Sequence, residues 1–258
     1  MNAAAPEIDT VACADALEWM RSLPDGCVDA CLTSPPYNFC LRVLGDKYVP
    51  RSKNERDNHN RQTNKYANGL GDSLSMDEYF DWQGACIDEM MRISTGVVLY
   101  NVQIVSGNKP AVLRLLGRFA DVVRDVLVWD KLAAEPAALP NVLNSEYELV
   151  VAFDHGNCKA RQFRIFNADR GGLSNVLRIG KNRENDYRAA FPLALPMVLV
   201  HAFTNEGDVV CDPFMGSGTT AVACHRLKRH FVGSELDPEV HRKAAFRIAN
   251  EMAQMTLF

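Results

Sequence analysis

Two adjacent prolines at the end of an apolar run constrain this chain more than any other feature of its 258 residues. Val28-Asp29-Ala30-Cys31-Leu32 reads as a short buried strand that runs into Thr33-Ser34-Pro35-Pro36-Tyr37-Asn38. The prolines fix two φ angles and remove two N–H donors, so the segment cannot continue as a regular ladder and the carbonyls beside them are left to accept from a ligand. Ser34 adds a hydroxyl that can also accept, and Tyr37 adds a flat ring with a polar tip. Acceptors next to an aromatic face suit a planar ring that carries an NH2 group, as a nucleobase does. The same hexapeptide could also be a rigid turn with no ligand, because proline is an ordinary turn residue.

A second stretch, far along the chain, bears on that choice. Asp208-Val209-Val210-Cys211-Asp212 reads as a strand, Pro213-Phe214-Met215-Gly216-Ser217-Gly218 as a tight turn, and Thr219 to Lys228 as a helix. Glycines there let the backbone approach a ligand without a Cβ clash. It is not a phosphate-binding P-loop, because Thr219-Thr220 stands where the lysine would follow Gly218, and an ATPase is excluded on that ground. The next strand, His230 to Ser234, ends at Glu235, twenty-three residues after Asp212. That spacing suits an acid that bonds the ribose hydroxyls of a nucleoside cofactor.

With Ser34-Pro35-Pro36-Tyr37 and Asp212-Pro213-Phe214-Met215-Gly216-Ser217-Gly218-Thr219-Thr220 both present in this order, the chain resembles the amino-group DNA methyltransferases of the permuted β group. In those enzymes the catalytic motif precedes the cofactor motif. The resemblance touches nearly the whole chain. It implies an α/β, Rossmann-like methyltransferase fold with a mostly parallel sheet of about seven strands and a circularly permuted motif order. It also implies S-adenosylmethionine as cofactor, held by Asp15, Thr33, Phe191, Asp212, Phe214, Gly216, Ser217, Gly218, Thr219, Glu235 and Leu236. Asp15 matches the acid placed near the adenine amine, although a helix N-cap explains it equally well. Phe214 and Phe191 would flank the cofactor, and Leu236 would pack on the adenine. Many relatives carry His-Pro-Ala-Pro-Phe-Pro where this chain has Tyr187-Arg188-Ala189-Ala190-Phe191-Pro192, so only the Phe-Pro ending is shared.

The implied catalytic residues are Ser34, Pro35, Pro36 and Tyr37. An exocyclic amine is a poor nucleophile because its lone pair is delocalised into the ring. The Ser34 hydroxyl and the Pro35 carbonyl would hold both amine hydrogens and aim the lone pair at the methyl group, through positioning and electrostatics. The base must leave the duplex, and Tyr37 is placed to stack on it. A C5-cytosine enzyme needs a nucleophilic cysteine, usually after proline, and no Pro-Cys dipeptide occurs. Within the resemblance Ser-Pro-Pro-Tyr is more typical of N4-cytosine enzymes and Asp-Pro-Pro-Tyr of N6-adenine enzymes, so cytosine N4 is favoured and adenine N6 is the alternative. Two other classes stay open: an RNA or protein-amide methyltransferase, for which Asn-Pro-Pro-Tyr is the more expected loop, and an inactive DNA-binding module.

The formal net charge of −4 gains meaning only when divided by segment. Residues 42–66 hold seven Lys/Arg against three Asp/Glu, residues 155–188 hold eight against three, and the remaining chain is strongly acidic. An acidic body with two basic segments suits double-stranded DNA as partner. The candidate contacts are Arg51, Lys53, Arg56, Arg61 and Lys65 in the first segment, and Arg161, Arg164, Arg170, Arg178, Lys181 and Arg183 in the second. Residues 154–188 lie where the family usually holds its target-recognition segment. Residues 40–74 are polar and without periodicity, and read as a long loop near the catalytic site that closes over the extruded base. A homodimer and a cognate restriction endonuclease of a restriction-modification pair remain open as partners.

The length fits a single methyltransferase domain over 1–258. No apolar run approaches a membrane span and the first residues do not read as a secretory signal, so a cytoplasmic, nucleoid-associated protein is expected. Eight cysteines at 13, 27, 31, 40, 86, 158, 211 and 224, with no C-x-x-C pair, predict reduced thiols and no metal. Strands are expected near 8–12, 28–32, 97–102, 122–129, 147–153, 208–212 and 230–235. Helices are expected after Asp15, from Ser75 with its capping-box Glu78, over about 109–119, from Pro192 to His201, over 219–228, and from Pro238 to Met252.

Overall fold

The computed structural model describes residues 4–39, 41–44, 47–50, 74–135, 141–154, 161–181 and 191–255. In chain order the elements are β1 (Thr10–Cys13), α1 (Ala16–Arg21), β2 (Ala30–Thr33), β3 (Leu41–Leu44), β4 (Lys47–Pro50), α2 (Met76–Ile93), β5 (Val98–Val102) and α3 (Lys109–Arg118). They continue with β6 (Val123–Glu135), β7 (Ser145–Phe153), β8 (Val176–Arg178), α4 (Ala194–Phe203), β9 (Val209–Asp212), α5 (Thr219–Arg226), β10 (His230–Glu235) and α6 (Pro238–Met255).

Among the described residues the main sheet has eight strands in the order β1-β10-β9-β2-β5-β7-β6-β8. Only β7 runs against its neighbours, because it returns from β6 through a hairpin and pairs antiparallel with both β6 and β5. Every residue of β2 and of β5 is buried, as expected of parallel strands covered on both faces. One apolar cluster packs α1, α2 and α3 on one face through Met20, Ile87, Met90, Val112 and Leu115. The other packs α4, α5 and α6 through Leu195, Leu199, Ala221, Cys224 and Ile248. No described helix is long and apolar enough to cross a membrane, and no described His, Cys, Asp or Glu residues group in a way that could hold a metal ion.

Local chemistry sets the helix starts that frame the site. Asp15 caps α1, with Oδ1 accepting from the N–H groups of Leu17 and Glu18 at 3.0 Å each. Ser75 and Glu78 form the expected capping box at the start of α2. Three expectations need correction. The sheet gains an eighth strand, β8, inside the segment read as irregular, where Val176–Arg178 pairs parallel with Val128–Asp130. Part of the loop read from 40 to 74 is a two-stranded hairpin of β3 and β4; residues 51–73 lie outside the described residues. The strand expected to stop near 129 runs on to Glu135, so its end and the start of β7 project past the sheet.

The sheet order explains where a site must lie. From β2 the chain proceeds outward through β5 toward β8, whereas β9 leads the other way through β10 to β1. The crossovers on the two sides of the β2–β9 boundary therefore diverge and open a crevice at the carboxyl ends of these strands. Both sequence motifs sit at this boundary. Strand pairing places Ala30 and Cys31 of β2 beside Val210 and Cys211 of β9.

Candidate active site

The residue that ends β9 joins the two motifs. Asp212 is 2% exposed; its Oδ1 accepts from the Thr33 hydroxyl at 2.7 Å and from the Phe214 N–H at 3.1 Å. Its Oδ2 accepts from the Thr220 hydroxyl at 2.6 Å. One carboxylate thus fastens the residue before Ser34 to the glycine turn, across 179 residues of sequence. Burial pushes the Asp212 carboxyl up to about 6, against the opposing effect of its three hydrogen bonds, and the nearby Glu235 raises it further.

The turn itself is built by backbone and acids together. Gly216 and Gly218 have φ of +54° and +79°, the left-handed region that favours glycine. The Gly216 N–H donates to Glu235 Oε2 at 2.9 Å, and Glu235 Oε1 accepts from the Asp237 N–H at 2.9 Å. Burial also holds the Glu235 carboxyl above the usual range. Ser217 and Thr219 are buried, and their hydroxyls lie 3.1 Å apart. Arg247 of α6 donates to the Ser217 carbonyl at 2.9 Å and to the Thr219 hydroxyl at 3.0 Å. Arg247 was not singled out from sequence, because it lies on a helix whose pattern reads as ordinary amphipathic surface.

The remaining expected cofactor residues fall along the same edge. The Ala14 N–H donates to the Glu235 carbonyl at 3.2 Å, which brings the Asp15 cap beside the end of β10. Leu236 follows Glu235 and is 43% exposed, an open apolar side chain at this edge. Phe214 stands edge-on to Trp82 with centroids 5.7 Å apart. Phe191 is buried in the other apolar cluster, so the two phenylalanines come from opposite faces of the sheet.

Beside Asp212 the loop that carries Ser34 and the two prolines is held by contacts from other elements. The Tyr79 hydroxyl donates to the Pro36 carbonyl at 2.9 Å. Pro36 is therefore not a free acceptor, contrary to the expectation for carbonyls beside the prolines. Among the described residues no hydrogen bond is made to the Pro35 carbonyl. Asn38, fully buried and at a φ of +60°, donates to the carbonyls of Leu74 and Gly107 at 2.9 Å each and accepts from the Leu74 N–H at 3.0 Å. Asn38 thus staples the loop to the start of α2 and to the segment after β5, a role the sequence reading did not assign.

Tyr37 differs most from expectation. Its ring is 6% exposed and tilted against Phe39, and its hydroxyl lies 2.7 Å from Ser34 Oγ. The same hydroxyl contacts Glu148 and Asn101. In this structure the residue expected to stack on a base also touches Ser34 through its hydroxyl.

The expected DNA contacts divide. Arg178 ends β8 at the catalytic edge, exposed and 3.9 Å from Asp130, and Lys181 follows three residues later. Arg161 pairs with Asp125 near the start of β6, and Asn167 docks on the end of α4. Arg161 and Asn167 therefore lie toward the opposite edge of the sheet, away from Ser34, and Arg164 and Arg170 are exposed. Arg51, Lys53, Arg56, Arg61, Lys65 and Arg183 lie outside the described residues.

Comparison with known proteins shows the family and the fold. Residues 28–246 match the family described as DNA methylase, the N6/N4 type. The type II methyltransferase M.XycI of Xanthomonas campestris pv. cyanopsidis is 27% identical over 280 residues, covering 92% of this chain and 86% of that protein. Among solved structures, the PvuII DNA methyltransferase, described as cytosine-N4-specific, aligns with a TM-score of 0.66 at 19% identity, over 98% of this chain and 94% of the other. A putative DNA modification methylase from Thermus thermophilus, complexed with S-adenosyl-L-methionine, gives 0.60 at 21% identity over 94% of each chain. At these identities the two structures share the fold with this chain.

Proposed function

The chain belongs to the DNA methylase family, and from that premise we propose that it transfers the methyl group of S-adenosylmethionine to the exocyclic N4 of an extruded cytosine in double-stranded DNA. The observation that carries this reading is the 2.7 Å bond from Thr33 to Asp212. It ties the strand that leads into Ser34 and Pro35 to a glycine turn flanked by buried Asp212 and half-buried Glu235. The donor set fits the cofactor: Asp212 and Glu235 are both raised by burial, and a ligand bearing positive sulfur and ammonium groups would offset their charge.

Bound S-adenosylmethionine would supply an electrophilic methyl on a cationic sulfur. The chain's own residues prepare the nucleophile. Ser34 Oγ and the Pro35 carbonyl would accept from the two hydrogens of the base amine, which favours a pyramidal nitrogen and turns its lone pair toward the Asp212 turn; the methylated amine then loses its surplus proton to solvent. Glu235 holds the turn through the Gly216 N–H and keeps lone pairs for ribose hydroxyls. Leu236 offers the adenine an apolar surface. The apolar walls around Tyr37 and Phe214 exclude water, which strengthens these interactions. Arg178 and Lys181 at the same edge would grip phosphates near the extruded base.

Ser34 supports cytosine over adenine, in keeping with the cytosine-N4-specific protein that shares the fold. Both bases carry an NH2 group, so the acceptor pair would serve either. The test is to incubate purified protein and S-adenosylmethionine with unmethylated genomic DNA, digest it to nucleosides and analyse these by mass spectrometry. N4-methylcytosine is the expected product. N6-methyladenine would overturn the base assignment, and no methylated base despite bound cofactor would overturn the substrate assignment.

A further inference from the structure

Behind the acceptor pair lies a polar cluster that the mechanism above does not use. Asn101 on β5, Lys131 on β6 and Glu148 on β7 come from three adjacent strands and are 1%, 1% and 8% exposed. Glu148 Oε1 accepts from Lys131 Nζ at 3.1 Å. Its Oε2 accepts from the Tyr37 hydroxyl and from Asn101 Nδ2, each at 2.8 Å. Asn101 Nδ2 also reaches the Tyr37 oxygen at 2.7 Å, and that oxygen lies 2.7 Å from Ser34 Oγ. A buried ion pair is weak evidence for stability, because desolvation offsets much of its attraction, so its place beside Ser34 calls for another reason.

Counting hydrogens supplies one. An ionised carboxylate only accepts, so the single hydroxyl hydrogen of Tyr37 is directed to Glu148 and not to Ser34. The two amide hydrogens of Asn101 go to their nearer acceptors, Tyr37 and Glu148; the contact from Asn101 to Ser34 Oγ is longer, at 3.3 Å. The Tyr37 oxygen, having given its hydrogen away, accepts from the Ser34 hydroxyl. The Ser34 hydrogen then points inward and its lone pairs point toward the crevice. A serine hydroxyl free to rotate would present either end to a ligand. This one is set.

We propose that Glu148 is a positioning residue that fixes the polarity of Ser34 through Tyr37, so that Ser34 can only accept from the amine of the base. Lys131 provides the opposite charge that lets the carboxylate stay buried, and Asn101 holds the tyrosine and the carboxylate together. The inference rests on the methyltransferase reading given above.

Glu148→Gln tests it, because the amide oxygen stays with Lys131 and the NH2 group faces Tyr37. The tyrosine hydrogen then turns to Ser34, and the serine hydrogen is driven toward the base. The expected result is a fall in kcat of about a hundredfold, with the KM for DNA and the Kd for S-adenosylmethionine unchanged within about threefold. Tyr37→Phe removes the relay and leaves Ser34 free to rotate, so Glu148→Gln/Tyr37→Phe should turn over faster than Glu148→Gln alone. A purely structural role predicts the reverse, a double variant as slow as the worse single or slower, and that outcome overturns the proposal, as does Glu148→Gln at wild-type kcat. If Glu148→Gln does not fold, Lys131→Met/Glu148→Met removes the pair without leaving a lone charge. It predicts the same loss and the same rescue by Tyr37→Phe. Wild-type protein that methylates no base in DNA would sink the functional reading instead, so the two failures are distinct.

Discussion

Asp212→Ala is expected to lose cofactor binding beyond detection by calorimetry and to lower stability by about 3 kcal/mol. Three donors, the hydroxyls of Thr33 and Thr220 and the Phe214 N–H, lose a common acceptor in a site that water does not reach. The catalytic strand then has no tie to the cofactor turn. Asp212→Asn separates the two effects. Its amide oxygen still accepts, and a threonine hydroxyl can rotate to meet the NH2 group, so stability should fall by less than in the alanine variant. The negative charge is gone, however, and affinity for a cationic cofactor should fall about tenfold or more. The pH dependence follows with a definite sign. The folded value of about 6 lies above the unfolded one of about 4, so the native state holds the extra proton between them. Through this group, the stability of the free protein declines as pH rises across that window and is level above it. A bound cation favours the ionised form, so cofactor affinity should climb as pH rises through about 6. Affinity that is flat from pH 5 to 8, or higher at the acid end, would contradict the role given to Asp212.

Gly233→Ala is expected to be strongly destabilising. Gly233 sits on β10 directly across from Asp212 on β9. A Cβ there would lie 2.4 Å from the Asp212 carbonyl oxygen and 2.5 Å from Met215 Cε. The methionine tip can move, but a backbone oxygen in a parallel ladder cannot, so the two strands must separate at the turn that holds both motifs. Overpacking of this kind costs about 3 kcal/mol or more, a drop in Tm of roughly 10 °C for a chain of this size. Thermal denaturation of Gly233→Ala with and without Met215→Ala checks the cause. The second change should restore little, since the backbone contact remains. Full recovery would mean that side-chain crowding alone was at fault.

Much of the site was legible in the sequence because its parts are local. A valine-rich strand, an acid and a glycine turn before Thr219 require only neighbouring residues to be recognised, and the structure places Asp212, Gly216 and Gly218 as expected. Ser34-Pro35 was legible for the same reason. The Asp15 cap is the ordinary structural alternative, seen in the structure without bearing on a ligand. Other features are set by distant contacts. Lys131 and Glu148 read as two charges on strands, and only the antiparallel return of β7 between β5 and β6 puts them behind Ser34. β8 spans three residues of a basic, glycine-rich stretch, too short for a period-two pattern to stand out. The inward turn of Tyr37 depends on Asn101 and Glu148, which lie 64 and 111 residues away. Arg161 was grouped with Arg178 by charge, but the path of the chain separates them to different edges of the sheet.

The most direct test of the central claim, that two motifs split between the two ends of the chain form one transfer site, is a crystal structure with S-adenosylhomocysteine bound. The account predicts ribose hydroxyls on Glu235, adenine against Leu236, and the sulfur between the Asp212 turn and the acceptor pair of Ser34 Oγ and the Pro35 carbonyl. A ligand away from the carboxyl ends of β9 and β10, or with its sulfur turned from Ser34, would contradict it.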